Sequence, residues 1–309
     1  MHSISLIVAT KDRPDDLVRL LESLRRQTVG PAEIVIVDAS REPVEPVMAK
    51  FPQLNIRYLR HWPPSTAAQR NAGISACGAA STLIGFADDD TTFEPHAFAH
   101  LLDFWNHTES DILGAAFNIR NYPDRGSSFL KHSAFSNWLG LYSCRPGSVS
   151  KSGWQTVVPE LAENTFVDWL PSTAVTFRRE VCMQNLFDEF YDSYSYLEDL
   201  DFSYSVGQRG RLVIVAGAGY SHYPSSDGRI SAKLFGLYEV RNRLHFVRKY
   251  GLSKARCRLC LAIRWTMTMI AGLMHCDSEL LRRACGNLCG LTSRASSRSN
   301  NNVLEIAGR

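Results

Sequence analysis

Three consecutive carboxylates, Asp88, Asp89 and Asp90, follow directly on an apolar run, Leu83-Ile84-Gly85-Phe86-Ala87. On extended backbone alternate side chains share a side, so Asp88 and Asp90 can offer two hard oxygens to one Mg2+ or Mn2+ ion. Adjacent acids repel one another unless a cation compensates. The competing reading is an acidic loop that caps the next helix. A second cluster, Glu198, Asp199 and Asp201, lies far downstream. A carboxylate there can take a proton from an attacking hydroxyl, or it can simply open an exposed acidic helix. His222, after a late apolar run, can complete a metal site as a neutral imidazole or serve the structure alone. Arg13 and the pair Arg70-Asn71 are suited to diphosphate or base contacts.

Other constellations carry less. His96 and His100 stand four apart without a second zinc signature and read as a solvated helix face. Cys257 and Cys260, with Cys276, Cys285 and Cys289, do not match four-ligand zinc spacings and read as small apolar residues.

The elements around these residues alternate between strand and helix. Residues 4–9 form a short apolar run suited to a buried parallel strand. Pro14 fits a first helical turn, and Leu17, Leu20, Leu21 and Leu24 follow as a helical stripe. Further strands are expected at 33–38, 55–60 and 82–87, with helices near 45–51, 67–77 and 94–106. Such a pattern gives a parallel sheet with right-handed crossovers, whose ligands bind beyond the carboxyl ends of the strands. Residues 10–13, Asp38 and 88–90 all fall there. Residues 118–164 read as a loop-rich insertion with a turn at 122–126 and an aromatic stretch from Phe129 to Tyr142. Strand character resumes at 169–177 and at 212–216, and a long helix is expected over 233–250. The low-complexity end, 293–302, reads as frayed.

At 309 residues, 45% hydrophobic and 21% charged, the chain has the mix of a folded domain with an appendage rather than that of a disordered segment. The net charge is only +3, but from Gly251 onward nine Lys/Arg face three Asp/Glu, so the basic excess sits at the end. That asymmetry points to an anionic surface, or to a solvated basic face. Residues 259–274 are apolar except for Arg264, with basic flanks. They fit either an interfacial helix or one packed on the domain. The opening residues carry no basic segment followed by an apolar core, and eight cysteines in a chain this long are no disulfide scaffold; a reducing cytoplasm is expected.

Taken in order, these segments resemble the family-2 glycosyltransferases over residues 3–250. Residues 8–14 are similar to the family's opening strand and nucleotide-contacting loop. Residues 36–40 resemble its acidic strand end, and 68–74 the short helix lining the donor pocket. Residues 86–90 resemble the DxD metal motif and Glu198-Asp199 the ED motif. Residues 213–222 are similar to the strand where some members place a metal-binding histidine, and 241–243 to a late helix. The resemblance implies a GT-A fold, a Rossmann-like mostly parallel sheet flanked by helices. Residues 1–250 would form that domain, with about 1–117 binding the nucleotide-sugar and about 118–250 the acceptor. Residues 251–309 would be a basic amphipathic helical tail. It implies inverting transfer of a sugar from a nucleotide-sugar to a glycan or lipid-linked acceptor in bacterial surface-polysaccharide synthesis. The catalytic residues would be Asp199, as base, and Glu198. The donor would meet Thr10, Asp12, Arg13, Asp38, Arg70, Asn71, Asp88 and Asp89, and Mn2+ or Mg2+ would sit on Asp88, Asp90 and His222. The expected location is cytoplasmic, peripheral on the inner face of the membrane, with no nucleic-acid partner. Ala39 departs from the family, since many members carry a second acid or Asn there. No QxxRW-like motif and no multi-span domain accompany the chain, which favours adding one or few sugars. The alternatives are a non-catalytic sugar-nucleotide or carbohydrate-binding protein on the same fold, or a phosphatase using the DxDxT pattern of residues 88–92.

Overall fold

The computed structural model describes residues 1–122, 133–142, 145–225 and 230–293. Most of the turn at 122–126, the start of the aromatic stretch at Phe129 and nearly all of the low-complexity end lie outside them. The chain divides into two compact units. Unit 1 takes residues 1–126, 145–148 and 155–228, and unit 2 takes 127–144, 149–154 and 229–309.

Unit 1 is built on a nine-stranded sheet in the order β3-β2-β1-β4-β8-β6-β9-β5, with β7 also paired to β9. The strands are β1 (Ile4–Thr10), β2 (Glu33–Asp38), β3 (Ile56–Arg60), β4 (Leu83–Asp88), β5 (Thr91–Phe93), β6 (Ile112–Ile119), β7 (Thr165–Val167), β8 (Ala174–Arg178) and β9 (Arg211–His222). The first four are mutually parallel, as alternating strand and helix segments require. Beyond β4 the sheet is mixed: β8 runs antiparallel to both β4 and β6, while β6 and β9 are parallel. The helices are α1 (Pro14–Arg25), α2 (Thr66–Ala76), α3 (Ala97–His107), α5 (Arg179–Gln184) and α6 (Glu198–Gly207); α4 (Ala134–Leu139) belongs to unit 2.

Side-chain alternation assigns the two faces of the sheet. Ile4, Leu6, Val8, Ile34 and Ile36 point into one core with the α1 leucines and with Phe98, Leu101 and Trp105 of α3. Ile7, Val35, Val37 and Phe86 point into the other, against Ala67 and Ile74 of α2, Val181 of α5, and Phe202 and Val206 of α6. The continuous apolar runs of β1 and β2 arise because both faces are covered. Each fully buried Leu or Ile contributes about 1.5–3 kcal/mol as an upper estimate.

β9 is longer than the run at 212–216 indicates, because polar and small residues continue it to His222. A register shift between Phe117 and Asn118 bulges β9 over residues 216–218. The buried Asn118 amide fills the bulge, donating to the carbonyls of Leu161 and Ala216 and accepting from the Leu161 amide. Before the bulge β9 pairs with β7, and after it with β5.

Unit 2 contains α4, α7 (Ala232–Lys249), α8 (Lys254–Met274), α9 (Ser278–Thr292) and the segment 149–154. Helix α7, which sequence reading kept with the sheet, clusters with α8 and α9. Glycines cause this: a Cβ on Gly236 or Gly286 would collide with backbone of the facing helix, and one on Gly290 would come 2.7 Å from Val240. Glu239 of α7 binds Arg283 at 2.8 Å and Asn287 at 3.0 Å across that contact.

Gly114 of β6 shows how closely unit 1 is packed. A methyl group there would stand 2.6 Å from the Phe177 ring and 2.9 Å from Leu212. Gly114→Ala is expected to cost about 1–3 kcal/mol by overpacking, read as a lower urea midpoint at unchanged slope.

Candidate active site

The ends of β1, β2 and β4 lie side by side, with Thr10 opposite Asp38 and Ala9 opposite Asp88. The Gln69 amide of α2 donates to the Thr10 carbonyl at 3.0 Å and the Val37 carbonyl at 2.8 Å. That side chain ties the first two strand ends to the helix beneath the cleft. Arg70, the next residue, is 97% buried in its side chain and places one guanidinium between two distant acids. It donates to Asp88 at 2.9 Å and binds Glu198 through its other terminal nitrogen. Its guanidinium also lies 5.4 Å over the Phe187 ring.

The three aspartates divide their work. Asp89 is buried, accepting from the Thr10 hydroxyl at 2.7 Å and from Arg13 at 3.1 Å, and burial pushes its carboxyl up to about 7. Asp88 remains partly exposed at the strand end. The Thr91 hydroxyl closes the turn onto the Asp88 carbonyl at 2.8 Å. Asp90 receives the Ser225 amide at 3.0 Å on Oδ2, with Arg13 at 3.6 Å. Burial opposes its ionisation, but His222 and the Ser225 amide hold its pKa below the usual carboxylate value.

His222 reaches this group through strand register. It pairs with Thr91, the residue after Asp90, and its Nε2 stands 3.0 Å from Asp90 Oδ1. Burial would lower the imidazole pKa, and the Asp90 carboxylate raises it. One ligand atom from each of Asp88, Asp90 and His222 lies within 4.8 Å of the other two. Asp90 Oδ1 is buried and, among the described residues, receives no hydrogen bond of acceptable geometry. Two carboxylates and an imidazole at this spacing fit a divalent ion such as Mn2+ or Mg2+.

The Glu198-Asp199 pair opens α6 after a strained approach. Ser193, Ser195 and Leu197 adopt left-handed φ angles of 57°, 52° and 77°. Leu197 at the helix cap is the least tolerant of the three, and such residues cost about 1–3 kcal/mol each. The Ser195 hydroxyl accepts from the Ala67 amide at 3.2 Å, which fastens this turn to the start of α2. Glu198 turns inward to Arg70; burial pushes its carboxyl up to about 8 against the pull of that cation. Asp199 stays partly exposed. Burial raises its pKa, and the Leu200 amide at 2.7 Å tempers the shift. Asp201 faces away, within 3.2 Å of the Tyr191 hydroxyl.

The structure therefore forms two adjoining networks, one of Thr10, Arg13, Asp89, Asp90 and His222 and one of Asp88, Arg70 and Glu198, which meet where ligand atoms of Asp88, Asp90 and His222 lie within 4.8 Å of one another, with Asp199 beside Glu198 on the same helical turn. Three further candidates have other partners in this structure. Asn71 binds Phe187 main chain and the Glu189 carboxylate. Asp12, at φ 55°, accepts from the Arg41 amide on its carboxylate and donates its own amide to the Ser40 hydroxyl. Asp38 is fully buried and accepts from the amides of Ser40 and Val44, the Tyr58 hydroxyl and Arg60. Burial works against its charge, and those donors hold its pKa below the usual value. Gln69, Ser195, Tyr58, Arg60 and the Ser225 amide were not singled out from sequence, because only the fold brings them near the candidates. His96 and His100 are engaged with the Thr28 hydroxyl and the Gly217 carbonyl. Cys257 and Cys260 are buried as expected, whereas Cys276 and Cys285 are exposed.

The first part of this site, Thr10 to Asp90, lies within the stretch that known proteins match. Residues 5–155 match the model of glycosyl transferase family 2. An uncharacterized glycosyltransferase of Bacillus subtilis (strain 168), YwdF, is 41% identical over 127 residues, covering 39% of this chain and 47% of that protein. The chain thus spans about half the length of this curated relative. Among solved structures, S. aureus TarS 1-349 superposes with a TM-score of 0.57 at 17% identity, over 94% of this chain and 80% of that one. GalNAc-T7, crystallised with UDP, GalNAc and Mn2+, gives 0.55 at 16% identity, over 73% and 44%. These likenesses show the fold, a mixed α/β sheet flanked by helices.

Arg70→Met would leave Glu198 and Asp88 without their shared cation. A loss of about 3–5 kcal/mol in urea denaturation is expected, with part of it recovered in the Arg70→Met/Glu198→Gln double variant.

Proposed function

We propose, from the match of residues 5–155 to glycosyl transferase family 2, that this chain moves a sugar from a nucleoside-diphosphate donor to a hydroxyl acceptor, inverting the anomeric carbon. The observation that carries the proposal is the shared Arg70 guanidinium, which joins the 88–90 acids to the 198–199 acids in one cleft. A phosphatase would have no use for that second cluster, and the family match displaces this alternative.

Asp199 is the general base. It is accessible, its basicity is raised by burial, and its place on the first turn of α6 is fixed by the Ser195 turn. It takes the proton of the acceptor hydroxyl as that oxygen bonds to the anomeric carbon. The bond from that carbon to the diphosphate oxygen breaks, and the nucleoside diphosphate leaves with the electron pair. Glu198 is a positioning residue that holds Arg70, and through it Asp88, against the base. Asp88, Asp90 and His222 would hold a divalent ion, which when bound supplies positive charge against the leaving diphosphate. Arg13, locked by Asp89, adds a fixed positive charge on the same side.

The similar structures solved with UDP and UDP-GlcNAc make UDP-sugars the first donors to test. The acceptor is a glycan or a lipid-linked glycan of bacterial surface-polysaccharide synthesis, met at the inner face of the cytoplasmic membrane. The bacterial relatives and the basic second unit support this reading. Asp199→Asn is expected to lower the transfer rate about a hundred- to ten-thousand-fold, with the donor dissociation constant held within about threefold. Release of nucleotide from a donor panel, with calorimetric titration of the same donors, reads both. Wild-type turnover in this variant would remove the base.

A further inference from the structure

Helix α8 wears its apolar side outward. By length and composition it could cross a membrane, with a mean hydropathy of 1.3 in its most apolar stretch. Its packing is that of a helix lying on a surface. Cys257, Cys260, Leu261 and Gly272 are buried on the inner face. The only charge between Leu259 and Met274, that of Arg264, also turns inward, stacking 4.0 Å from Trp154 and 5.0 Å from Tyr142 and donating to the Leu141 carbonyl. At 3.6 residues per turn, the opposite face presents Leu259, Met267, Ile270, Leu273 and Met274, all exposed, with Thr266 as its one hydroxyl. A helix packed on a protein in water buries its apolar stripe. Single exposed leucines need no cause, but a four-turn row without a charge does.

The row continues onto a second element. On α4, Phe135 and Trp138 are 66% and 63% exposed, stacked with ring centres 6.0 Å apart. Arg256 of α8 lies 4.9 Å over Trp138 and donates to its carbonyl at 3.1 Å, while Leu139 and Leu141 pack on Cys260. The exposed aromatic pair therefore adjoins the first turns of α8, where Lys254, Arg256 and Arg258 supply positive charge. The charge of the chain is partitioned in the same sense. Unit 2 holds 17 Lys/Arg against 4 Asp/Glu, and unit 1 holds 17 against 27.

We propose that this face of unit 2 docks on an anionic lipid bilayer, with α8 lying flat at the boundary of headgroups and acyl chains. Trp138 sits at the interface as an amphipathic anchor with Phe135 inserted beside it, and the basic residues meet lipid phosphates. Spanning is excluded by the inner face, since a membrane-crossing α8 would strip Arg264 from its aromatic partners and leave it in hydrocarbon. A second copy of the chain fits less well, because a symmetric contact would set two strongly basic surfaces against each other. The inference rests on, and extends, the reading of a membrane-side acceptor.

The test is flotation of the full chain with vesicles of about one-third phosphatidylglycerol in phosphatidylcholine, and with phosphatidylcholine alone. The wild type should float with the anionic vesicles and be released by high salt. Ile270→Glu/Leu273→Glu should lower the bound fraction at least about tenfold, with unchanged melting temperature and nucleoside-diphosphate binding. Equal flotation of variant and wild type, or equal flotation on both vesicle types, overturns the proposal. So does a wild type that ignores vesicles and forms a dimer that the substitutions dissolve. Absence of donor binding in the wild type would instead strike at the transfer reaction and leave the vesicle result standing.

Discussion

One buried cation holds the cleft together. The Arg70 guanidinium binds the last residue of β4 and the first residue of α6, two acids far apart in the chain. Like charges brought together in a site of low polarity would push one another apart or take up protons. A single guanidinium with two separated nitrogens satisfies both carboxylates at once, which a lysine would not do in the same geometry. Burial raises the pKa values of Glu198 and Asp199 beside Arg70, while the cation lowers them. The residues under it are chosen accordingly: Phe187 and Phe202 stack at 4.3 Å, and Phe86 meets Phe187 edge-on at 5.1 Å. This rigid aromatic floor fixes where the guanidinium sits.

The rest of the site follows from strand register. Asp90 leaves β4 through a tight turn that Thr91 closes, and β5 then pairs with the far end of β9. The bulge at 216–218 bends β9 away from β7 and toward β5. Without it the strand would continue along its first partner and carry His222 away from Asp90. The strained turn at 193–197 does the same for Asp199, spending backbone energy to open α6 beside Arg70. Two irregularities in otherwise regular elements therefore aim His222 and Asp199, the proposed metal ligand and the proposed base.

Much of this was legible in the residues. The four opening strands, the helices between them and the convergence of residues 10–13 and 88–90 follow from periodicity and from the rule that ligands gather at strand ends. The mixed second half of the sheet was not legible, because β5 and β7 are three residues long and β9 carries small and polar residues past its apolar start. Residue type marked Asp38, Asp12 and Asn71 as donor contacts. Type alone does not reveal which partners a side chain takes in the fold: Asp38 and Asp12 accept from loop amides, and Asn71 donates to Glu189. Of the two readings of residues 259–274, interfacial or packed, the structure shows the packing: α8 buries one face and leaves apolar residues exposed on the other. Sequence could not tell them apart because Arg264 interrupts the apolar run without showing which way it points.

The proposed convergence of the acids on one metal and one nucleotide is open to direct observation. Crystals grown with UDP and Mn2+ would give an anomalous difference map at the manganese edge. A single peak bounded by Asp88, Asp90 and His222 and touching the diphosphate is the expected result. UDP bound elsewhere on the chain, or bound in this cleft with the manganese held by other residues, would contradict it.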